Sequence, residues 1–223
     1  MGSLGPFTQM LLNFLSAVLA AASGGVLPGR AQFAGKTPGP RDAYGQAEPY
    51  GAVTETSKEN AMPLLNPGDP FPRLTISTTD GQTATIPDAL AGSFGVVLFY
   101  RGAWCPYCNA QLRAFERAGK ELADAGIKIA ALSVDDTETT AALVARHKLT
   151  FPVGYGADAP AIASLTGAFV NPGPVYLQSA GFVLDRAGNV VVSVYSSGAI
   201  GRLVPEDVTG LVGYLREHAP ATA

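Results

Sequence analysis

The fold of this chain is decided by residues 96–108, which read VVLFYRGAWCPYC. The apolar run over residues 96–100 predicts a buried strand, and the apolar spacing over residues 112–122 predicts a helix soon after it. Cys105 and Cys108 therefore stand where a strand passes into a helix, on the first helical turn. They are the only two cysteines of the chain.

This position suits a reactive sulfur. The unpaired backbone N–H groups of a first helical turn and the positive end of the helix dipole favour thiolate over thiol. The thiolate is the reactive form of cysteine, and Cys-x-x-Cys spacing lowers cysteine pKa values. Pro106 fits the start of the helix, because the N–H group that proline lacks would have no helical partner there. This position therefore favours the thiolate form of cysteine.

Three kinds of site could use a lone Cys-x-x-Cys pair. A zinc site needs about four ligands, and the other soft candidates, His147 and His218, do not have ligand spacing, so no metal is expected. A structural disulfide across so short a loop would restrain little of the unfolded chain. Redox chemistry is favoured, because Cys-x-x-Cys beside a β-α-β pattern is typical of it.

Composition and charge narrow the class of protein. The chain is 47% hydrophobic and 15% charged, with a net charge of −3 at pH 7. This balance argues against nucleic acid or an anionic membrane surface as the main partner. No glycine-rich phosphate loop is present, so no nucleotide, flavin or metal cofactor is expected.

The first 61 residues lack the regular apolar periodicity of the rest of the chain. An apolar segment at 10–22 precedes a tract without sustained periodicity, which predicts a flexible extension over residues 1–61 and one domain over 62–223. No basic residue precedes Arg30, which argues against a signal peptide, and the segment is too short and polar to span a membrane. We expect a cytoplasmic protein, with export as the alternative. Translation from Met62 is a further possibility.

The remaining elements follow in a recognisable order. Turn signals and apolar periodicity predict hairpins, strands and helices in turn: a hairpin over 74–86, the strand at 96–100, a helix to about residue 125, a strand over 127–134, helices over 137–147 and 159–166, a hairpin over 181–195 and a last helix from Pro205. A β-α-β half joined to a β-β-α half is the thioredoxin architecture. The fold class is therefore α/β, with a mixed β-sheet flanked by helices on both faces.

Several motifs carry a family resemblance. Residues 100–109, YRGAWCPYCN, resemble the peroxiredoxin-like branch of the alkyl hydroperoxide reductase C and thiol-specific antioxidant superfamily. Further similar stretches follow at matching distances: 67–72, 131–135, 151–153 and 181–188. Together the resemblance covers roughly residues 64–217 and implies a thioredoxin fold with thiol peroxidase activity.

The sequence departs from standard members at the site. Those enzymes carry Pro-x-x-x-Thr-x-x-Cys, and alignment puts their peroxide-attacking cysteine at Cys108, their threonine at Cys105 and their proline at Arg101. Their peroxide-binding arginine matches Ser179. Arg101 or Arg202 could replace it, although for Arg202 we expect an exposed surface charge, as for most arginines.

A thioredoxin-like interpretation reverses the roles. There Cys105 would be the nucleophile, and Cys108 would resolve the mixed disulfide. Two thioredoxin features are replaced: Phe99 stands in place of the buried carboxylate, and Ser179 in place of the proline opposite the disulfide. The middle residues Pro-Tyr are those of glutaredoxins.

The resemblance implies a thiol peroxidase that reduces hydrogen peroxide or organic hydroperoxides. Cys105 and Cys108 would be catalytic, and Trp104, Tyr107 and Arg101 would wall the site and position the substrate. For Trp104, ordinary core packing is an equal alternative. One thiolate would become a sulfenic acid, the second cysteine would form the disulfide, and thioredoxin, glutaredoxin or a low-molecular-weight thiol would reduce it.

Two other functions stay open. The pair could act as a thiol–disulfide oxidoreductase on protein or small disulfides, or as a non-enzymatic redox sensor whose disulfide changes partner binding. The attacking cysteine, the preferred peroxide, the reductant and the oligomeric state are left undecided by the sequence.

Overall fold

The computed structural model describes residues 64–218. Its strands are β1 Leu74–Thr78, β2 Thr83–Ile86, β3 Phe94–Phe99, β4 Ile127–Leu132, β5 Val153–Tyr155, β6 Val170–Pro172, β7 Val175–Leu177, β8 Ala180–Leu184 and β9 Val190–Tyr195. Its α-helices are α1 Pro106–Arg117, α2 Gly119–Asp124, α3 Thr137–His147, α4 Ala159–Thr166 and α5 Pro205–Glu217, and Asp88–Leu90 forms a 3₁₀ turn.

Seven strands form one mixed sheet in the order β2-β1-β5-β4-β3-β8-β9. The central pairs β3–β4 and β4–β5 are parallel, whereas the pairs toward the two edges are antiparallel. Strands β6 and β7 pair separately as a small antiparallel ribbon. Strand β3, which leads to the cysteines, lies between β4 and β8 and is buried along its whole length.

The side chains of β3 contribute alternately to two hydrophobic cores, one on each face of the sheet. Val96 and Leu98 belong to a cluster that includes apolar residues of α1, α2, α3 and α5. Val97 and Phe99 belong to a second cluster, which includes apolar residues of α4 and of β1 and β2. Successive side chains of a strand point to opposite faces of the sheet, so helices cover both faces. The predicted α/β class with a mixed sheet and helices on both faces is confirmed.

Most predicted elements are confirmed, with two differences. The helix expected to run to about residue 125 is divided at Ala118, whose ψ of 0° departs from helical geometry, and it resumes at Gly119 as α2. The ribbon β6–β7 was not predicted, because strands of three residues are too short to show a period. No helix among residues 64–218 is long and apolar enough to cross a membrane.

The predictions for the N-terminal part concern other residues. The flexible extension over residues 1–61 and the apolar segment at 10–22 lie outside the described residues. The cytoplasmic location and the alternative of export therefore stay predictions.

Candidate functional site

The Cys-x-x-Cys segment follows β3 directly. Cys105 is the N-cap of α1, with extended backbone angles of φ −85° and ψ 113°, and Pro106 is the first helical residue, as predicted. Cys108 lies within the first turn of the helix. The Cys105 backbone N–H donates to the Gly102 carbonyl at 3.1 Å, which closes the loop between the strand and the helix.

Backbone N–H groups point at both sulfurs. The Cys108 N–H donates to Cys105 Sγ at 3.3 Å, and the Arg101 N–H donates to Cys108 Sγ at 3.4 Å. Both cysteines are free thiols, and both have an exposed fraction of 0%. The site therefore combines the anion-stabilising start of a helix with complete exclusion of water from the sulfurs.

Burial opposes the thiolate form at Cys108. Burial, followed by a hydrogen bond with Cys105, raises the pKa of the Cys108 thiol to about 11. The Arg101 N–H and the positive charge of Arg202 act in the opposite direction but do not outweigh these causes. Burial disfavours the charged form of a thiol, so the helix start alone does not make Cys108 a thiolate at neutral pH.

Arg202 lies at the sulfurs, contrary to the expectation of an exposed surface charge. Its Nη2 atom donates to Cys108 Sγ at 3.4 Å and to Cys105 Sγ at 3.8 Å. The residue belongs to the segment between β9 and α5, far from the cysteines in sequence. Its side chain points inward because its guanidinium donates to acceptors on α1, just before β8 and within its own segment.

These acceptors hold the guanidinium in place. Arg202 Nη1 donates to Gln111 Oε1 at 3.0 Å and to Ser179 Oγ at 2.5 Å, and Nε donates to the Ala199 carbonyl at 3.0 Å. Buried Gln111 also donates to the Leu203 carbonyl at 3.0 Å. Gln111 was missed by the sequence analysis, although a polar residue next to Leu112, among the buried positions of α1, was a visible signal.

Arg101 faces aromatic rings and does not reach the sulfurs with its guanidinium. Its Nη2 donates to the Tyr176 hydroxyl at 2.9 Å, and its Cζ lies 4.8 Å from the Trp104 ring centroid. Trp104 is 57% exposed and Tyr107 is 53% exposed, so core packing is excluded for Trp104. The positioning roles predicted for these three residues stay predictions. Tyr176, on the unpredicted ribbon, was missed by the sequence analysis.

Asp135 fixes the loop before the cysteines. Its Oδ2 atom accepts from the Ala103 N–H at 2.8 Å and from the Ser133 hydroxyl at 3.0 Å. Asn109 Nδ2 donates to the Ala103 carbonyl at 2.9 Å, so the N–H and the carbonyl of Ala103 are both hydrogen-bonded to side chains. Gly102 allows the turn, because its φ of 143° lies in a region that other residues rarely adopt.

The arrangement suits two-cysteine redox chemistry. Both thiols lie within hydrogen-bond reach of one guanidinium nitrogen, and Cys105 stands at a helix N-terminus. Residues 64–218 contain no group of three or more His, Cys, Asp or Glu side chains placed to hold a metal ion. The chemistry that these side chains support by themselves is attack by a thiolate followed by disulfide formation.

Comparison with known proteins agrees with this chemistry. The AhpC/TSA family model matches residues 67–193. A peroxiredoxin of Treponema denticola is 32% identical over 154 residues, which is 66% of this chain and 71% of that protein. The thiol-disulfide oxidoreductase ResA of Bacillus cereus is 27% identical over 154 residues, covering 69% of this chain and 79% of that protein.

Solved structures share the fold. The yeast mitochondrial 1-Cys peroxiredoxin superposes with a TM-score of 0.60 at 20% identity, over 69% of this chain and 78% of that one. Because the family model spans more than half of the chain, the resemblance noted in the sequence is confirmed. The chain belongs to the AhpC/TSA family and is an oxidoreductase of the thiol peroxidase class.

Proposed function

We propose that this protein reduces hydroperoxides with Cys105 as the attacking thiolate and Cys108 as the resolving thiol. The observation that carries the proposal is the position of Arg202 Nη2, within 3.8 Å of Cys105 Sγ and 3.4 Å of Cys108 Sγ. A fixed cation at the sulfurs suits a reaction in which negative charge moves from sulfur to oxygen.

The guanidinium would stabilise negative charge on the attacking sulfur and on the leaving oxygen. It stabilises the thiolate before attack, and it can donate to the peroxide oxygen on which charge develops as the O–O bond breaks. Because Gln111 and Ser179 already hold Arg202, the guanidinium itself needs little reorientation during the chemical step. Such preorganised donors are usually the largest contribution to catalysis of this kind.

The assignment of Cys105 as nucleophile rests on a difference between the two sulfurs. Cys105 is the N-cap and accepts the N–H of Cys108, so a thiolate there would lie at the positive end of the helix dipole. For Cys108, burial raises the pKa to about 11, which keeps it a neutral thiol at pH 7. A neutral, adjacent thiol suits the resolving role.

The reaction balances in two steps. The Cys105 thiolate attacks the terminal peroxide oxygen, the O–O bond breaks, and the leaving alkoxide or hydroxide takes a proton, so that sulfur is oxidised to sulfenic acid. Cys108 sulfur then attacks Cys105 sulfur, its proton and the hydroxyl group leave as water, and the Cys105–Cys108 disulfide forms. Two electrons from an external dithiol, or from two thiols, restore the pair.

The reductant belongs to the proposal too. The yeast mitochondrial 1-Cys peroxiredoxin is described as having its thiol resolved via glutathione/thioredoxin systems. We propose a reductant of the same chemical kind here, either a thioredoxin-type dithiol or a low-molecular-weight thiol.

Rapid mixing of reduced protein with hydrogen peroxide tests the function. Trp104 is the only tryptophan and precedes Cys105, so its fluorescence reports oxidation. We expect a fast phase, linear in peroxide at low concentration, that survives in Cys108→Ser and disappears in Cys105→Ser. Loss only in Cys108→Ser would move the attack to Cys108. A wild-type rate equal to that of a free thiol would refute the peroxidase proposal.

A second function, thiol–disulfide oxidoreductase, is favoured by one pair of observations. The Cys-x-x-Cys pair begins a helix, and the chain is 27% identical to ResA of Bacillus cereus, which is named for that activity. Rapid oxidation of the reduced protein by a small disulfide, together with slow oxidation by peroxides, would establish this function instead.

A further inference from the structure

A cation clamped between aromatic rings lies beside the cysteines. Arg101 Cζ is 4.8 Å from the Trp104 ring centroid and 5.2 Å from that of Tyr176, while Nη2 donates to the Tyr176 hydroxyl at 2.9 Å. The two rings meet edge to face, with their centroids 5.2 Å apart. We call Arg101, Trp104 and Tyr176 the aromatic clamp. Such stacking fixes the direction of a guanidinium.

The charge of the clamp is not neutralised by the described part of the protein. The ion pairs between side chains within residues 64–218 are Arg73–Asp88 and Lys120–Asp124, so no carboxylate there pairs with Arg101. Its Nε atom is buried and has no hydrogen-bond acceptor. The buried Nε is closed to a ligand, so a carboxylate would bind at the outer nitrogens of this guanidinium, which lacks a counter-ion.

An apolar surface lies next to this charge. The Trp104 ring, whose centroid lies 4.8 Å from Arg101 Cζ, is 57% exposed. This exposed ring presents an apolar face to solvent directly beside the guanidinium. The clamp therefore offers a cation and an apolar face together, which suits a ligand that is anionic at one end and apolar elsewhere.

The clamp is also tied to the reacting sulfurs. The Arg101 backbone N–H donates to Cys108 Sγ at 3.4 Å, and Trp104 directly precedes Cys105. The hydrogen bond to Tyr176 chiefly raises the pKa of the Arg101 guanidinium, against the lowering effect of burial. A ligand held by the clamp would thus lie beside the site of attack.

We infer that the aromatic clamp binds the carboxylate and apolar body of an organic hydroperoxide and that Arg101 is a specificity-determining residue. The inference rests on the proposed peroxidase function. Hydrogen peroxide has neither a carboxylate nor an apolar body, so it would leave both features unused. A carboxylated hydroperoxide uses the cation and the ring face, and its O–O bond reaches the sulfur once the segments that bury both cysteines move apart.

A thiol reductant that carries carboxylates, such as glutathione, has the same anionic group. Glutathione lacks an apolar body, so the exposed face of Trp104 favours the hydroperoxide. The rates at which glutathione and neutral 2-mercaptoethanol reduce the Cys105–Cys108 disulfide show whether the carboxylate belongs to the hydroperoxide or to the reductant. If Arg101→Gln slows only the glutathione reaction, the ligand is the reductant and the hydroperoxide assignment is overturned.

Equilibrium binding tests the site without catalysis. We would titrate reduced protein with 4-isopropylbenzoate and with its methyl ester, using the fluorescence of Trp104. We expect the acid to bind about tenfold more tightly than the ester, the size of one charge-assisted hydrogen bond. This preference should weaken with added salt, disappear in Arg101→Gln and persist in part in Arg101→Lys, which keeps the charge.

The matched control is Arg186→Gln, because Arg186 also stacks on a ring, that of Phe94, but at the opposite end of β3 from the cysteines. This variant should keep the full preference for the acid. Equal binding of acid and ester by the wild type, or a preference that is insensitive to salt and to Arg101→Gln, would overturn the inference.

A kinetic comparison connects the site to the reaction. We would oxidise the protein with 4-carboxycumene hydroperoxide and with its methyl ester and compare the two second-order rates. We expect a ratio of about ten in the wild type and about one in Arg101→Gln. A wild-type ratio near one overturns the substrate assignment. If all hydroperoxides react only as fast as with a free thiol, the proposed function fails, while the binding result still decides the carboxylate site.

Discussion

Arg202 Nη1 lies 2.5 Å from Ser179 Oγ, although 23 residues separate the two in sequence. Ser179 occupies the position at which the family resemblance places an arginine in standard peroxiredoxins. In this chain the guanidinium arrives instead from the segment between β9 and α5, and the serine serves as its acceptor. The charge at the site has the same sign, but a different part of the fold supplies it.

Removal of this charge should slow thiol oxidation. In Arg202→Gln we expect the second-order rate with hydrogen peroxide to fall about 10- to 100-fold, because charge-assisted hydrogen bonds to both sulfurs are lost. The Arg202 charge also lowers the pKa of Cys108. In the variant this pKa should therefore be higher, and disulfide formation should reach a given rate only at a higher pH. Rapid-mixing fluorescence across a range of pH measures both effects.

Arg216→Gln is the matched control, since Arg216 lies on α5 and stacks on Phe94 at a distance of 5.7 Å, away from the cysteines. It should oxidise at the wild-type rate. Equal rates in wild type and Arg202→Gln would show that the guanidinium has no part in the reaction.

Gln111 should influence how strongly the Arg202 guanidinium stabilises the thiolate. Its Oε1 accepts from Arg202 Nη1 at 3.0 Å, so Gln111→Glu places a carboxylate against the guanidinium with almost no change in shape. The carboxylate would compete with the Cys105 thiolate for the positive charge, and we expect peroxide oxidation to slow about tenfold. Gln111→Met, which removes the acceptor without adding charge, should slow the reaction less. If both variants react equally fast, charge competition is not the cause.

Cys108 should make the reduced protein less stable in alkali. Its folded-state pKa of about 11 exceeds the ordinary value of 9.0, so above pH 9 the unfolded state loses this proton before the folded state does. The stability from this group is complete below pH 9 and is lost as pH rises toward 11. By pH 10.5 we expect a loss of about 2 kcal/mol.

Urea unfolding at several pH values, with a phosphine reductant present, measures this loss. Cys108→Ala should have a flatter dependence between pH 8 and 10.5. Tyr100, whose pKa burial raises to about 12, is present in both proteins, so its contribution cancels. Parallel curves for the two proteins would mean that Cys108 titrates at its ordinary pKa.

Gly102 should tolerate no side chain. A Cβ atom there would lie 2.5 Å from Trp104 Nε1 and 3.0 Å from Asp135 Oδ1, and the φ of 143° is itself unfavourable for alanine. We expect Gly102→Ala to lower the free energy of unfolding by about 2–3 kcal/mol and to shift the Trp104 emission. Gly198→Ala, with no atom within 4 Å of its Cβ, should change stability by less than about 0.5 kcal/mol. Similar effects in both variants would contradict this account.

The elements of the fold could be predicted because their signals are local. The apolar run of β3 and the proline at the start of α5 are each recognised within a few residues. The strand-to-helix position of the cysteines follows from the same kind of signal. Where the signal is short, as in the three-residue strands β6 and β7, prediction failed.

The surroundings of the sulfurs could not be predicted, since they depend on contacts between distant parts of the chain. Arg202 and Cys108 are 94 residues apart, and Arg101 and Tyr176 are 75 apart. No periodicity or spacing marks such pairs. The raised pKa of Cys108 likewise depends on burial by several elements, whereas the helix start that favours thiolate is visible in the sequence.

The complete burial of both sulfurs has a kinetic consequence. With exposed fractions of 0%, neither Cys105 nor Cys108 can meet an oxidant until the surrounding segments move apart. Opening and oxidation are then successive events, and the first does not depend on oxidant concentration. At high hydroperoxide concentration the oxidation rate should therefore reach a ceiling that is the same for every hydroperoxide, large or small. That ceiling is the opening frequency of the folded protein.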